Sequence, residues 1–265
     1  MIGGGMQVKI AKFYHQTPKS NQTSKICYNI PMQIQPSSID HIILIDKPAG
    51  ISSFGVVAKV RARLRDELGH KIKVGHTGTL DPFATGLLIL LTGKNTKRSN
   101  EFLKLDKVYE ATLRLGFIST TGDPEGKITE VSFSKYNETL PKLGDVESVL
   151  NSFIGIIEQT PPKFSAIKIN GQRAYKLARK NQDFKIPSRK IEIYSINILN
   201  YNYPELKIKV HCSSGTYIRT LAEDIGKKLN TGAYLTTLRR TKIGDYDIEN
   251  AIPLSNFNES NYSPT

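Results

Sequence analysis

The alternation of apolar and polar residues along this 265-residue chain predicts several half-buried strands. Residues 108–117 alternate strictly, the period of two that turns one side-chain face toward a core. Residues 191–193 and 206–212 repeat the pattern, and the short apolar runs 41–45 and 87–91 indicate two more buried strands. A chain of this length with these strands is long enough to bury a sizeable core.

Three other segments carry the helical period. Residues 53–68 space their apolar side chains by three and four, with Ser52 or Ser53 available as the N-cap and a glycine at the end as the stop. A second helix is predicted to begin at Asp145, as its N-cap, and a third to be capped by Thr216. Strands and helices in this arrangement predict an α+β fold.

A turn-rich run, Gly75–Gly86 (GHTGTLDPFATG), lies between the first helix and the strand at 87–91. Its three glycines and its proline forbid a regular helix or a central strand, so it is a shaped loop. Asp81 lies at its centre, and a short carboxylate on a stiff loop suits nucleophilic catalysis. Aspartate before proline is also a common turn initiator, so the residues alone leave both interpretations open.

Charge narrows the class of partner. The formal net charge is +13 and the pI is near 9.6, which favours nucleic acid, although colloidal solubility alone also accounts for such a charge. Cys27 and Cys212 are too few for a disulfide framework or a zinc site, and we expect no metal. The sequence shows neither a signal peptide nor an apolar segment long enough to span a membrane, so a cytoplasmic location is expected.

Basic residues concentrate between Lys163 and Lys190, where nine of them accompany one acid, Asp183. Because aromatic residues are interleaved with them, the segment fits a loop that grips RNA phosphates, although an exposed basic helix and loop would look the same. The candidates for contact with the RNA backbone are Lys163, Arg173, Lys176, Arg179 and Lys180.

The loop around Asp81 closely resembles the GHTGxLDPxATG signature of the TruB family of pseudouridine synthases. Further segments resemble other motifs of that family, in order along the chain from about Ile43 to Ile252. They are Lys47–Ser53 (KPxGxTS, with Ser52 for threonine), Lys107–Ala111 (KxYxA), Gly116–Gly126 (GxxTDTxDxxG, imperfect), Thr160–Ala166 (TPPxxSA), Cys212–Thr220 (CSxGTYIRT) and Leu238–Arg240.

The resemblance implies a role for each matching residue. Asp81 would be the nucleophile, Arg219 the cation paired with it, and Tyr109 the aromatic ring that stacks on the target uracil. Substrate-binding roles fall on a further set of residues. They are His76, which would fill the gap left by the flipped base, Tyr217 beside the uracil, Leu238 as an apolar wall, Lys47 and Thr79.

The family also implies the fold, the reaction and the partner. The fold would be a long mixed, mostly antiparallel sheet flanked by helices, with an RNA-binding cleft across its middle. The reaction would isomerise uridine 55 in the T loop of tRNA by base flipping, without a cofactor, in a monomer that binds the T stem-loop. Whether Asp81 attacks ribose C1′ or uracil C6 stays open.

The domain plan expected from these matches has three parts. Residues 1–39 would be a basic, flexible extension, 40–254 the catalytic domain with a thumb-like insertion at about 160–190, and 255–265 a tail without a C-terminal PUA domain. The competing functions are a non-catalytic RNA-binding module or tRNA-folding chaperone, a guide-dependent synthase and a hydrolytic glycosidase, for which paired carboxylates would be needed.

Overall fold

A computed structural model describes residues 40–131, 140–169, 171–180 and 182–258. The predicted extension at 1–39 and residues 259–265 of the predicted tail lie outside the described residues. No helix in the described ranges is long and apolar enough to cross a membrane.

A ten-stranded mixed sheet dominates this part of the chain. Its strands are β1 (Ile42–Lys47), β2 (Val74–His76), β3 (Thr85–Thr92), β4 (Lys107–Leu115), β7 (Gly155–Gln159), β10 (Arg189–Asn202), β11 (Glu205–Cys212), β12 (Ala233–Ile243), β13 (Tyr246–Asp247) and β14 (Ile252–Pro253). Two hairpins stand apart from it: β5 (Phe117–Ser119) with β6 (Ile128–Glu130), and β8 (Lys168–Ile169) with β9 (Gln172–Arg173).

Five helices accompany the described strands: α1 (Ser53–Leu68), α2 (Ser99–Leu103), α3 (Leu143–Asn151), α4 (Ala174–Arg179) and α5 (Ile218–Lys228). Short 3₁₀ segments cover Gly93–Arg98, Ile248–Asn250 and Leu254–Asn256.

The main path of the sheet runs β14-β1-β3-β12-β4-β11-β10-β7, with β2 paired to β3 and β13 to β12. The pairs β1 with β14 and β3 with β12 are parallel, and the other pairings in this sheet are antiparallel. The predicted α+β fold with a mostly antiparallel mixed sheet is therefore confirmed.

Helices cover the sheet in two blocks. The inward residues of β4, β10, β11 and β12 pack with α3 and α5 in one core, and the inward residues of β1 and β3 pack with α1 in another. The opposite face of β3 packs on Phe102 of α2, which explains why its apolar run is continuous rather than alternating.

The helix boundaries confirm part of the prediction and correct part of it. Ser52 caps α1 by accepting the Gly55 N–H at 3.0 Å. Asp145 is not the N-cap of α3; Lys142 is, and the Asp145 carboxylate accepts the Lys142 N–H at 2.8 Å from inside the first turn. Thr216 does not cap α5 either.

Thr216 is unavailable as a cap because its hydroxyl closes the preceding turn. It donates to the carbonyl of Ser213 at 3.0 Å, and Tyr217 occupies the N-cap position with extended backbone. The helix therefore begins one residue later than a threonine cap would imply.

Gly86 allows β3 to cross close to β12. Its φ is +103°, and a Cβ at this position would lie 2.3 Å from the backbone carbonyl oxygen of Arg240. The parallel pairing of these strands holds only if residue 86 has no side chain.

Lys47 continues the inward alternation of β1 and is fully buried. Its ammonium donates to the carbonyls of Pro48, Ile51 and Pro82 at 2.8, 2.7 and 3.2 Å, which ties the end of β1 to the loop after Asp81. Burial lowers the pKa of Lys47 to about 8, and the nearby Asp81 carboxylate opposes this.

Replacement of Gly86 by alanine should destabilise the protein strongly. We expect Gly86→Ala to lose more than about 2 kcal/mol of unfolding free energy in urea, because strain at positive φ adds to a clash with rigid backbone. Gly50→Ala is the matched control, since Gly50 has φ +80° but nothing within 4 Å of its Cβ position, and about 1 kcal/mol is expected there. Equal losses in the two variants would contradict the close approach.

The buried ammonium predicts a pH dependence of stability. Between pH 8 and 10.5 folded Lys47 has lost its proton whereas the unfolded chain keeps it, so this residue makes stability rise with pH over that window. The unfolding free energy of the wild type minus that of Lys47→Met should increase by about 1–3 kcal/mol across it. Lys59→Met, at an exposed position of α1, should show no such trend.

Candidate active site

A cavity of about 530 Å³ opens beside Asp81. Its walls come from the aspartate loop (residues 77–84), strands β4 and β12, the start of α5 and the insertion between β7 and β10 (residues 160–188). Its volume is that of a typical small-molecule site.

The backbone of the aspartate loop is fixed from below by α1. The Ser53 hydroxyl donates to the Leu80 carbonyl at 2.9 Å and accepts the Leu80 N–H at 2.8 Å. Gly50 N–H donates to the Pro82 carbonyl at 2.9 Å, and Lys47 holds the same carbonyl. The residues on both sides of Asp81 are thus pinned, which leaves its carboxyl, 32% exposed, in the cavity wall.

Arg219 faces Asp81 from the first turn of α5, where a cation opposes the helix dipole and needs a partner of its own. Its Nε lies 2.9 Å from Asp81 Oδ2, and its Nη2 donates to Asp81 Oδ1 at 3.3 Å. The guanidinium is 4% exposed, so this ion pair joins a buried cation to a partly accessible carboxylate.

The same guanidinium joins two further segments. Its Nη1 lies 3.3 Å from Asp123 Oδ2 and donates to the Thr121 carbonyl at 2.9 Å, and its Nη2 donates to the Phe164 carbonyl at 2.8 Å. Arg219 therefore connects the aspartate loop, the turn after β5 and the insertion.

Burial is the main cause that raises the pKa of Asp81. The Arg219 guanidinium opposes this rise, and the negative charge of Asp123 adds to it. A cation paired with a carboxylate is expected to lower the pKa of that carboxylate. The arginine does act in that direction, but burial outweighs it, so the net shift is upward.

The sequence analysis missed Asp123 as a site residue. Its side chain is 4% exposed, bonded to Arg219, and accepts the Thr121 hydroxyl at 2.5 Å. The imperfect match of Gly116–Gly126 to the family pattern contained the signal, because Asp123 occupies the last aspartate position of that pattern.

Two tyrosines and a leucine form the aromatic and apolar part of the wall. Tyr109, Tyr217 and Leu238 all line the cavity, as the motif matches predict. Gln159, also missed from sequence, holds the Tyr217 backbone from behind: its amide donates to the Tyr217 carbonyl at 3.0 Å and accepts the Tyr217 N–H at 2.8 Å. The Arg189 guanidinium lies 5.0 Å from the centre of the Tyr217 ring.

Other predicted substrate-binding residues divide into two groups. Thr79 lines the cavity. Lys47 and His76 are absent from its described lining; Lys47 lies under the loop, and His76 is a half-buried residue of β2 whose pKa is lowered by burial and then by the charge of Arg240.

The basic candidates in the insertion also occupy different positions. Arg179 reaches the cavity wall. Lys176 and Lys180 are exposed on or next to α4, Lys163 lies 4.0 Å from Asp183 across exposed surface, and Arg173 donates to the Ala166 carbonyl. No group of three or more metal-ligating side chains occurs within the described ranges.

Comparison with known proteins agrees with this geometry. The family description "TruB family pseudouridylate synthase (N terminal domain)" matches residues 65–218, and "tRNA pseudouridylate synthase B C-terminal domain" matches residues 219–263. The two matches meet between Ile218 and Arg219, so the ion pair of the cavity draws one residue from each.

Curated relatives carry the name "tRNA pseudouridine synthase B". The protein of Phocaeicola vulgatus is 48% identical over 82% of this chain and 92% of its own length. The protein of Flavobacterium johnsoniae is 45% identical over 83% of this chain and 95% of its own length. The protein of Clostridium kluyveri is 44% identical over 84% of this chain and 74% of its own length.

Solved structures share the fold. A Cbf5-Nop10-Gar1 complex contains a chain 28% identical with a TM-score of 0.59, covering 81% of this chain and 52% of that chain. A chain of an H/ACA RNP bound to a substrate RNA containing 2'-deoxyuridine is 26% identical with a TM-score of 0.57, and the match covers 81% of this chain and 51% of that chain. This chain spans about half the length of those solved chains. By its family matches and its relatives, the chain belongs to the TruB family of pseudouridylate synthases.

Proposed function

We propose that this protein converts uridine to pseudouridine in the T loop of tRNA, at uridine 55, with Asp81 as the nucleophile. The observation that carries the proposal is the cavity itself: one accessible carboxylate on a pinned loop, a buried arginine against it, and two phenol rings beside it. The names of the relatives and the net charge of +13 support tRNA as the substrate.

The reaction is an isomerisation and balances within the nucleotide. The bond from uracil N1 to ribose C1′ breaks, the base turns, and a bond from C5 to C1′ forms. C5 gives up a proton and N1 gains one, so no oxidant, reductant or cofactor is consumed.

The target uridine must leave its stack before it can enter this cavity. Extrusion of a weakly paired loop nucleotide requires only a few kcal/mol, which makes an RNA loop a suitable substrate. The rings of Tyr109 and Tyr217 replace the lost stacking, and Leu238 closes the apolar side.

Asp81 acts as the nucleophile in its ionised form. Burial favours the protonated acid, and Arg219 restrains that effect by stabilising the carboxylate. The attack at C1′ and the attack at C6 both begin from this carboxylate, so the roles of Asp81 and Arg219 hold for either.

The basic insertion contacts the RNA backbone beside the cavity. Arg179 is placed at the wall, and Lys176 stands exposed on the same helix, so both offer cations to phosphates that flank the flipped base. Lys163, Arg173 and Lys180 extend this surface. We further propose that the protein acts as a monomer in the cytoplasm, as its resemblance to the family implies.

A non-catalytic RNA-binding module or tRNA chaperone is the alternative, and the aspartate separates the two functions. Asp81→Asn should bind tRNA transcripts with unchanged affinity and form no pseudouridine, because an amide cannot form and release the covalent bond. Chemical mapping of pseudouridine after incubation is the measurement. Asp46→Asn is the control, since Asp46 pairs with Arg239 at 2.8 Å outside the cavity. Ordinary turnover by Asp81→Asn would refute the assignment.

Basic residues of the insertion should affect the salt dependence of tRNA binding and not the catalytic step. Lys176→Ala and Arg179→Ala should each weaken tRNA binding and reduce the slope of log Kd against log salt by about 0.7 to 0.9, the contribution of one phosphate contact. Lys207→Ala, on β11 beside Glu110, is the control and should leave the slope unchanged. A wild-type slope in both insertion variants would remove them from the RNA interface.

A further inference from the structure

Arg240 is a buried cation without an acidic partner. It is 1% exposed and is the largest of the fully buried side chains among the described residues. It nevertheless forms no ion pair with any described carboxylate. Buried charges are normally paired, because an uncompensated one lowers stability by several kcal/mol. Retention of this one in the cavity wall indicates a task other than stability.

Neutral acceptors surround its guanidinium. Nε donates to the Leu87 carbonyl at 2.8 Å and Nη2 to the Gly78 carbonyl at 3.1 Å, which links β3 and the aspartate loop. Arg240 lies directly opposite Tyr109 in the β12–β4 register, and both residues line the cavity. The guanidinium is therefore fixed on two sides and lies next to Tyr109.

The charge of Arg240 affects ionisable groups in and next to the cavity. It opposes the burial that raises the pKa of Tyr109, and after burial it is a further cause of the lowered pKa values of His76 and Lys107. Since Arg240 has no carboxylate of its own, its field is available to groups in the cavity.

The proposed reaction needs a positive field at this place. When the bond from N1 to C1′ breaks, its electron pair remains on the uracil, which lies against Tyr109 in the proposed complex. A preorganised cation beneath the base would stabilise that negative charge without any reorganisation of solvent.

We propose that Arg240 assists the isomerisation electrostatically: from its place opposite Tyr109 in the cavity wall, it supplies a fixed positive charge next to the flipped uracil. This inference rests on the proposed function. Arg239, its neighbour in sequence, points to the other face of β12, where it pairs with Asp46 at 2.8 Å and does not line the cavity.

Single-turnover kinetics test the inference. In assays with tRNA transcripts, Arg240→Met should slow pseudouridine formation by about 100-fold, the usual effect of losing one preorganised donor, with tRNA affinity unchanged. The methionine also removes the donors to the Leu87 and Gly78 carbonyls, so the melting temperature of each variant is measured beside its rate. Arg239→Met is the control and should retain the wild-type rate.

Arg240→Lys separates the charge from the hydrogen bonds, because it keeps the positive charge and loses the bidentate guanidinium. It should form pseudouridine at least about tenfold faster than Arg240→Met. Equal rates for the lysine and methionine variants would overturn the proposal, as would a wild-type rate for Arg240→Met. If the methionine variant fails to fold, Arg240→Gln takes its place as the neutral variant.

A second measurement does not depend on turnover. In protein labelled at the tyrosine Cζ, the Tyr109 resonance, assigned by its loss in Tyr109→Phe, should shift in Arg240→Met and not in Arg239→Met. An unshifted resonance would overturn the placement of the Arg240 charge beside Tyr109. Absence of pseudouridine formation by the wild-type protein would instead refute the proposed function, and the resonance would still show whether the Arg240 charge reaches Tyr109.

Discussion

The site depends on one buried guanidinium. Arg219 contacts the carboxylates of Asp81 and Asp123 and the carbonyls of Thr121 and Phe164, so segments separated by up to 138 residues meet at a single side chain. Because the arginine is 4% exposed and Asp81 32%, the cation is sealed away while the carboxylate stays within reach of a ligand. The contrast in exposure allows an acid to be held by an ion pair and still react.

The residues around this ion pair serve two different purposes. Asp81, Tyr109 and Tyr217 line the cavity, whereas Lys47 and Ser53 hydrogen-bond to backbone groups and fix the path of the loop. A carboxylate whose neighbours can relax would retreat toward water, because burial makes its charge unfavourable. Because the loop is pinned, the Asp81 carboxyl cannot move away in this manner, so the proposed chemistry would depend on the supporting residues as well as on Asp81.

Local sequence pattern predicted the elements well and their relations poorly. The strands at 108–117 and 206–212 and the helix that ends at Gly69 follow from periodicity, since each reflects a nearby core. Asp81 and Arg219 could be paired only through resemblance to a family. Asp123 and Gln159 were not predicted as site residues, because their partners Arg219 and Tyr217 lie 96 and 58 residues away in sequence. The predicted Thr216 cap was wrong because the Thr216 hydroxyl donates to the Ser213 carbonyl in the preceding turn.

Asp123, the second carboxylate beside Arg219, matters most for charge balance during the proposed reaction. Formation of a covalent bond consumes the charge of Asp81, which would strand a buried guanidinium if Asp81 were its only partner. Under the proposed mechanism Asp123, 3.3 Å from the same Arg219, would keep that cation compensated at the intermediate. Arg240 would need no such partner, because the charge it is proposed to face is absent from the resting site and would develop on the uracil. On this proposal the two buried arginines differ in their surroundings because the first balances a charge that disappears as the bond forms, whereas the second stabilises a charge that appears as the base leaves.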